Sequence, residues 1–144
     1  MRTYSSCLAV MVTLVVAACS TTASAPSSEL NGGLTGIDWL LISTRYSDGG
    51  NARPDEPLRY QIRFQPDDAL QVRADCNRAG GRYRIDGNSI SVEVTHSTMA
   101  ACEPASLAPQ FQRDLGGAAT YIVRDGNLHI DLKDRAGTME FRRK

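Results

Sequence analysis

Apolar and polar positions alternate through much of this chain, and the alternation carries most of what the sequence says about its fold. Leu58, Tyr60, Ile62 and Phe64 alternate with Arg59, Gln61 and Arg63, the pattern of a strand with one buried face. Pro66-Asp67-Asp68 supplies a turn, after which Leu70, Val72, Ala74 and Cys76 mark the inner face of the next strand. Upstream, Ile37, Trp39 and Leu41 keep the same period. Leu40 and Ile42 add apolar side chains on the opposite face, which predicts a first strand covered on both sides. Between these strands, residues 46–57 form a polar loop containing Gly49, Gly50, Pro54 and Pro57.

Two later segments share one spacing. Tyr83, Ile85, Ile90, Val92 and Val94 step by 2, 5, 2 and 2, as do Tyr121, Val123, Leu128, Ile130 and Leu132. Each wide step encloses Asp-Gly-Asn, which tolerates the left-handed backbone of a hairpin turn. The second triplet is displaced by one residue, so the two loops need not be identical, and two hairpins sharing common turn chemistry are favoured over a duplicated unit. Between them Leu107, Phe111 and Leu115 recur every four residues until Gly116-Gly117, which predicts one short helix starting near residue 107 behind Pro104. Residues 138–142 form a last strand after an Ala136-Gly137 turn, with Met139 and Phe141 on one face. The predicted class is mainly β (α+β): a small antiparallel curled sheet, or partly open barrel, of about seven strands with one short helix.

The first 36 residues break this pattern. Arg2 precedes an apolar run from Cys7 to Val16, too short to span a bilayer, which reads as an export signal over residues 1–18. Val16-Ala17-Ala18-Cys19 resembles a bacterial lipobox, and the resemblance implies lipidation of Cys19. Ser20 in the following position implies delivery to the outer membrane, facing the periplasm. Residues 19–36 are rich in Ser, Thr, Ala and Gly, as expected of a tether. The folded domain is then residues 37–144. Sixteen Lys and Arg balance sixteen Asp and Glu, so no global field favours nucleic acid.

Only Cys76 and Cys102 remain beyond the leader and lipobox. In an oxidising compartment a disulfide is the simplest reading, against two free thiols or a zinc site completed by His96. The metal reading lacks a C-x-x-C pair and a fourth ligand. Gly80 and Gly81 suit a bulge or tight turn better than a phosphate loop, since no Lys-Ser or Lys-Thr follows. Catalysis has little support: His96 and His129 are the only histidines, there is no G-x-S-x-G, and no cofactor or metal site is indicated. Arg59, Arg63, Arg73, Arg82 and Arg84 occupy outward positions of three consecutive strands. They form either a basic face for anionic lipid or an acidic partner, or a solvated surface with Asp75 and Glu93 as local partners.

Cys76-Asn77 leading to Gly81-x-Tyr83, then Thr98-Met99-Ala-Ala-Cys102, with Trp39, Phe64, Phe111 and Tyr121 in order around them, resembles the META domain family. Its best-known members are HslJ-type heat-shock lipoproteins of the bacterial envelope. The resemblance implies a compact β-rich fold with a helix and no known catalytic residues. The expected function is accordingly non-enzymatic: envelope stress tolerance through binding a lipid, a peptide or a protein. An apolar groove between Trp39, Phe64, Phe111 and Tyr121 would serve that role. An alternative is inhibition of a hydrolase such as lysozyme through the 46–57 loop.

Overall fold

The computed structural model describes residues 33–144, so the export signal, Cys19 and nearly all of the tether lie outside the described residues. Strands β1 (Asp38–Tyr46), β2 (Asn51–Ala52), β3 (Tyr60–Phe64), β4 (Ala69–Ala74), β5 (Asn77–Asp86) and β6 (Ser89–Ser97) come first. Helix α1 (Ala108–Gly116) follows, then β7 (Ala118–Arg124), β8 (Asn127–Leu132) and β9 (Gly137–Arg143). Each named strand pairing is antiparallel, in the order β2-β1-β3-β4-β5-β6-β7-β8-β9. A further β1–β9 pairing, from Trp39 opposite Arg143 to Tyr46 opposite Gly137, closes the ring. The predicted class holds, and the sheet closes fully: eight strands make the barrel, with two-residue β2 appended outside β1.

An eight-stranded barrel encloses a space that side chains just fill. Trp39 and Phe64 are 0% exposed, Phe111 1% and Tyr121 8%. These aromatics are core, so the expected apolar groove between them is replaced by packing. Phe111 carries α1 into the barrel, its ring edge-on to Tyr60 at 5.7 Å and tilted against Phe141 at 6.3 Å. Ala108, Phe111 and Leu115, on one face of the helix, are all buried. The Tyr60 hydroxyl accepts the Leu107 backbone N–H at 2.9 Å, satisfying a donor just before the first turn.

Local turn chemistry departs from the expected pattern in three places. Leu58 was expected on the inner face of β3, but Pro57 starts a short 3-10 turn over Pro57–Arg59. The strand begins only at Tyr60, leaving Leu58 54% exposed. Cys76 lies with Asp75 in the two-residue turn between β4 and β5, exposed rather than on an inner face. Gly80 and Gly81, by contrast, follow the expectation of a bulge: they lie inside β5 where β6 shifts register. The β8–β9 turn is made by Asp134 and Arg135, both at φ 55°, rather than by Ala136-Gly137. The two Asp-Gly-Asn hairpins do differ: Asp125 and Gly126 both have positive φ, whereas at the first only Gly87 does.

Candidate functional site

The Cys76–Tyr83 and Thr98–Cys102 segments meet at one end of the barrel, and Asn77 holds them together. Asn77 begins β5 opposite Ala74, its side chain buried beneath the 98–102 loop. Its Oδ1 accepts the Thr98 hydroxyl at 2.9 Å and the Ala100 N–H at 2.8 Å. Its Nδ2 donates to the Ala100 carbonyl at 3.1 Å and lies 3.2 Å from the Cys102 sulfur. Thr98 also receives the Arg78 N–H on Oγ1 at 3.0 Å, and its own N–H donates to the Arg78 carbonyl at 2.9 Å. A Cys76–Cys102 disulfide, with Cα atoms 5.5 Å apart, fastens the loop to the β4–β5 turn. Closing 26 residues of sequence is worth about 3–4 kcal/mol in the chain-entropy model. With both sulfurs in that bond neither is free as a thiolate ligand.

The remaining motif residues separate into those with a packing duty and one without. A Cβ on Gly81 would stand 1.9 Å from the Glu93 carbonyl oxygen, so the bulge brings two backbones too close for any side chain. Tyr83 is buried, its ring 4.9 Å from Phe64 and its hydroxyl donating to the Gln65 carbonyl at 2.6 Å. Met99 is different. Asn77 grips the residues on both sides of it, and the grip turns its side chain outward, 94% exposed. Beside it lies a groove of about 540 Å³ between the loop and the first turn of α1, with Thr98, Glu103, Pro104, Pro109 and Gln112 in its walls.

The outward arginines prove to be neighbours, since β3, β4 and β5 are consecutive in the sheet. Two are neutralised: Arg59 pairs with buried Asp75, and Arg63 with Asp38 at 3.2 Å. Arg73 faces Arg78 directly across β4 and β5, a residue absent from the sequence-based set although it shares the alternation. Arg82 stands between Ala69 and Glu93 in register, and Arg84 opposite Ser91. His96 lies over bare Gly80 on this outer face, its Nδ1 3.1 Å from Thr95 Oγ1. His129 is on another outer face, opposite Ile122 and Glu140. Among the described residues no group of three or more His, Cys, Asp or Glu is placed to hold a metal ion.

A polar cluster along α1, at Gln110 and Asp114, escaped the sequence reading because these residues lie far along the chain from Tyr46. The Tyr46 hydroxyl donates to Asp114 Oδ2 at 2.5 Å and accepts Gln110 Nε2 at 2.6 Å. Burial foremost, then Asp114, pushes the Tyr46 hydroxyl up to about 12. Burial also raises Asp114 above the usual carboxylate range, opposed by the Tyr46 hydrogen bond and Arg113. The cluster fastens the helix to β1. Nearby, the 46–57 loop is ordered by the β1–β2 pairing and by the Gly50 N–H bound to Asp48 Oδ1 at 2.8 Å.

Comparison with known proteins agrees with this architecture. Among solved structures, an NMR structure of a protein from Burkholderia xenovorans superposes with a TM-score of 0.66 at 17% identity, covering 90% of this chain and 99% of that one. A crystal structure of a duf4847 family protein from Bacteroides vulgatus gives 0.56 at 13% identity, over 80% and 95% of the two chains. At these identities the likeness is one of fold. No curated protein matches the chain. The model of the META domain matches residues 32–144, which spans every described strand, the helix and the disulfide. The chain therefore belongs to the META domain family.

Proposed function

We propose that this chain is a non-enzymatic envelope lipoprotein of the HslJ type that contributes to stress tolerance by binding another envelope component through the face around Met99. One observation carries the reading. Asn77, Gly81, Tyr83, Thr98 and Cys102 each have a packing or hydrogen-bonding role, whereas Met99 is held outward at 94% exposure. A large apolar side chain held outward on a braced loop, beside a groove of about 540 Å³, is available for contact with a partner. The bracing limits the ordering entropy lost on binding. The lipobox-like Val16-Ala17-Ala18-Cys19 supports anchorage at the outer membrane, on the periplasmic side.

The test is Met99→Asp in the full chain, read as survival under envelope stress, with the melting temperature as the control for folding. Loss of survival with an unchanged melting temperature supports the reading; full survival overturns it. Labelling with a radioactive fatty acid, lost in Cys19→Ala, checks the anchor separately. The 46–57 loop favours a second reading, hydrolase inhibition, because it is held by β2 and is followed directly by exposed Leu58. Purified protein that slows lysozyme, and ceases to do so in Leu58→Asp, would support that reading instead.

A further inference from the structure

We propose that the component met by the Met99 face is the surface of an anionic phospholipid bilayer, with Arg73 and Arg78 binding lipid phosphates while Met99 enters the interface. The inference rests on the Met99 reading above and assigns its partner.

Arg73 and Arg78 stand directly opposite each other across β4 and β5, both exposed. Like charges in that position repel, and a sheet retains them at some cost to stability. Their register neighbours are uncharged: Gln61 lies beyond Arg73, and Thr98 is bound to the Arg78 backbone on the other side. The next row along the same face holds Gln71 and Gly80. Asp75, two residues beyond Arg73, is committed to Arg59, and Asp38 to Arg63. Glu93 faces Arg82, further along β5, and Asp67 and Asp68 lie at the β3–β4 turn near Tyr83. The Arg73–Arg78 pair is therefore a local excess of positive charge on a neutral body. Guanidinium groups bind phosphate oxygens bidentately, which matches the ligand to the pair.

Met99 follows directly on Thr98, whose N–H donates to the Arg78 carbonyl and whose hydroxyl oxygen accepts the Arg78 N–H. The loop that carries Met99 therefore starts from the backbone of one member of the pair. An exposed apolar side chain on a loop that starts at one of two cations suits a bilayer surface, where it enters the interface while the cations stay with the headgroups. The chain's own geometry presents the face. Only thirteen residues, 20–32, separate Cys19 from Gly33, a span of at most about 50 Å when fully extended. The body begins beside the end of β3, where the Gly36 N–H donates to the Phe64 carbonyl at 2.8 Å. Phe64 lies three residues along the strands and two strands across from Arg78, roughly 14 Å by strand geometry. An anchor at Cys19 would keep the basic pair within reach of the headgroups.

The experiment uses residues 20–144 without lipid; this piece contains the whole closed barrel, its core and its disulfide. It is mixed with vesicles of phosphatidylcholine alone or with phosphatidylglycerol added, at low and high salt. Binding to the anionic vesicles alone, weakened by salt, is expected. Two arginines near the surface contribute about fivefold each, so Arg73→Gln with Arg78→Gln should lower the partition coefficient about 25-fold. The control pair Arg124→Gln with Arg142→Gln should change it less than about threefold. Trp39 is the chain's single tryptophan and is buried, so a Met99→Trp variant adds one surface reporter whose emission should move to shorter wavelength on anionic vesicles. No binding, equal losses in both pairs, or an unmoved emission maximum would each overturn the proposal. If Met99→Asp abolishes stress survival while the wild-type chain ignores both vesicles, the Met99 face stands and its partner is a protein instead. Because no anchor is present in the assay, its outcome is independent of lipidation at Cys19.

Discussion

At the scale of single residues, Asn77 and Gly81 show how much of the motif is backbone engineering. Asn77 uses both atoms of its amide to hold a loop more than twenty residues away, joining Thr98 and Ala100 to β5. Asn77→Ala removes these bonds and leaves the Ala100 N–H without its side-chain acceptor. Removing one partner of a buried hydrogen-bond set costs about 1–3 kcal/mol. The variant should show a lower urea midpoint at unchanged slope, and faster amide exchange at Ala100. Gly81→Ala should cost about 2–3 kcal/mol, since the backbone at Glu93 has no flexible atom to yield. Gly80→Ala should cost clearly less, because the obstacle there is the swinging ring of His96. Comparing the two denaturation midpoints checks the order. The sequence signalled a permissive backbone at 80–81 but gave no way to rank the two glycines. The rank depends on how closely β6 approaches, and that is a property of the bulge.

At the scale of elements, alternation located strands well where one face is buried, as in β3, β4 and the two later hairpins. It failed where a turn changes the phase. Pro57 carries Leu58 out of the β3 period, and the Asp75-Cys76 turn ends the β4 period before Cys76. The helix was legible from Phe111 and Leu115, but its fastening to β1 was not, because Tyr46, Gln110 and Asp114 meet only in the fold. That cluster has a pH consequence whose sign follows from the direction of the shift. Tyr46 holds its proton more tightly when folded than at the ordinary value of 10. Its contribution to stability is therefore complete below pH 10 and is lost as pH rises toward about 12. Denaturation midpoints of the wild type should fall across that interval more steeply than those of Tyr46→Phe. Equal slopes would mean that other groups govern the alkaline loss. Asp114 is also raised, so its contribution is greatest when protonated and is lost as pH rises through its folded value.

At the scale of the whole molecule, the sequence pointed to a curled sheet but left open whether its ends meet. Closure depends on β1 and β9, the strands furthest apart in sequence, and local periodicity carries no information about such a pairing. Closure also decides the fate of the interior. With β1 bonded to β9, the aromatic positions that would line a groove in an open sheet become core. The ring is not uniform. β1 and β9 pair from Trp39–Arg143 to Tyr46–Gly137, whereas β6 and β7 meet in register only at Ser89 and Thr120, beside the Tyr121 N–H bound to the Asn88 carbonyl. Beyond Ser89, α1 packs against β6 where a strand partner would otherwise run. Local opening follows the fewest bonds, so the barrel should open first between β6 and β7 and stay shut between β1 and β9. Native-state hydrogen exchange should find the Thr120 and Tyr121 amides opening well below the global unfolding free energy, while Leu41 and Phe141 exchange only with it. Slow exchange at Thr120 and Tyr121, equal to that at Leu41, would show that the helix seals this seam as firmly as a strand does.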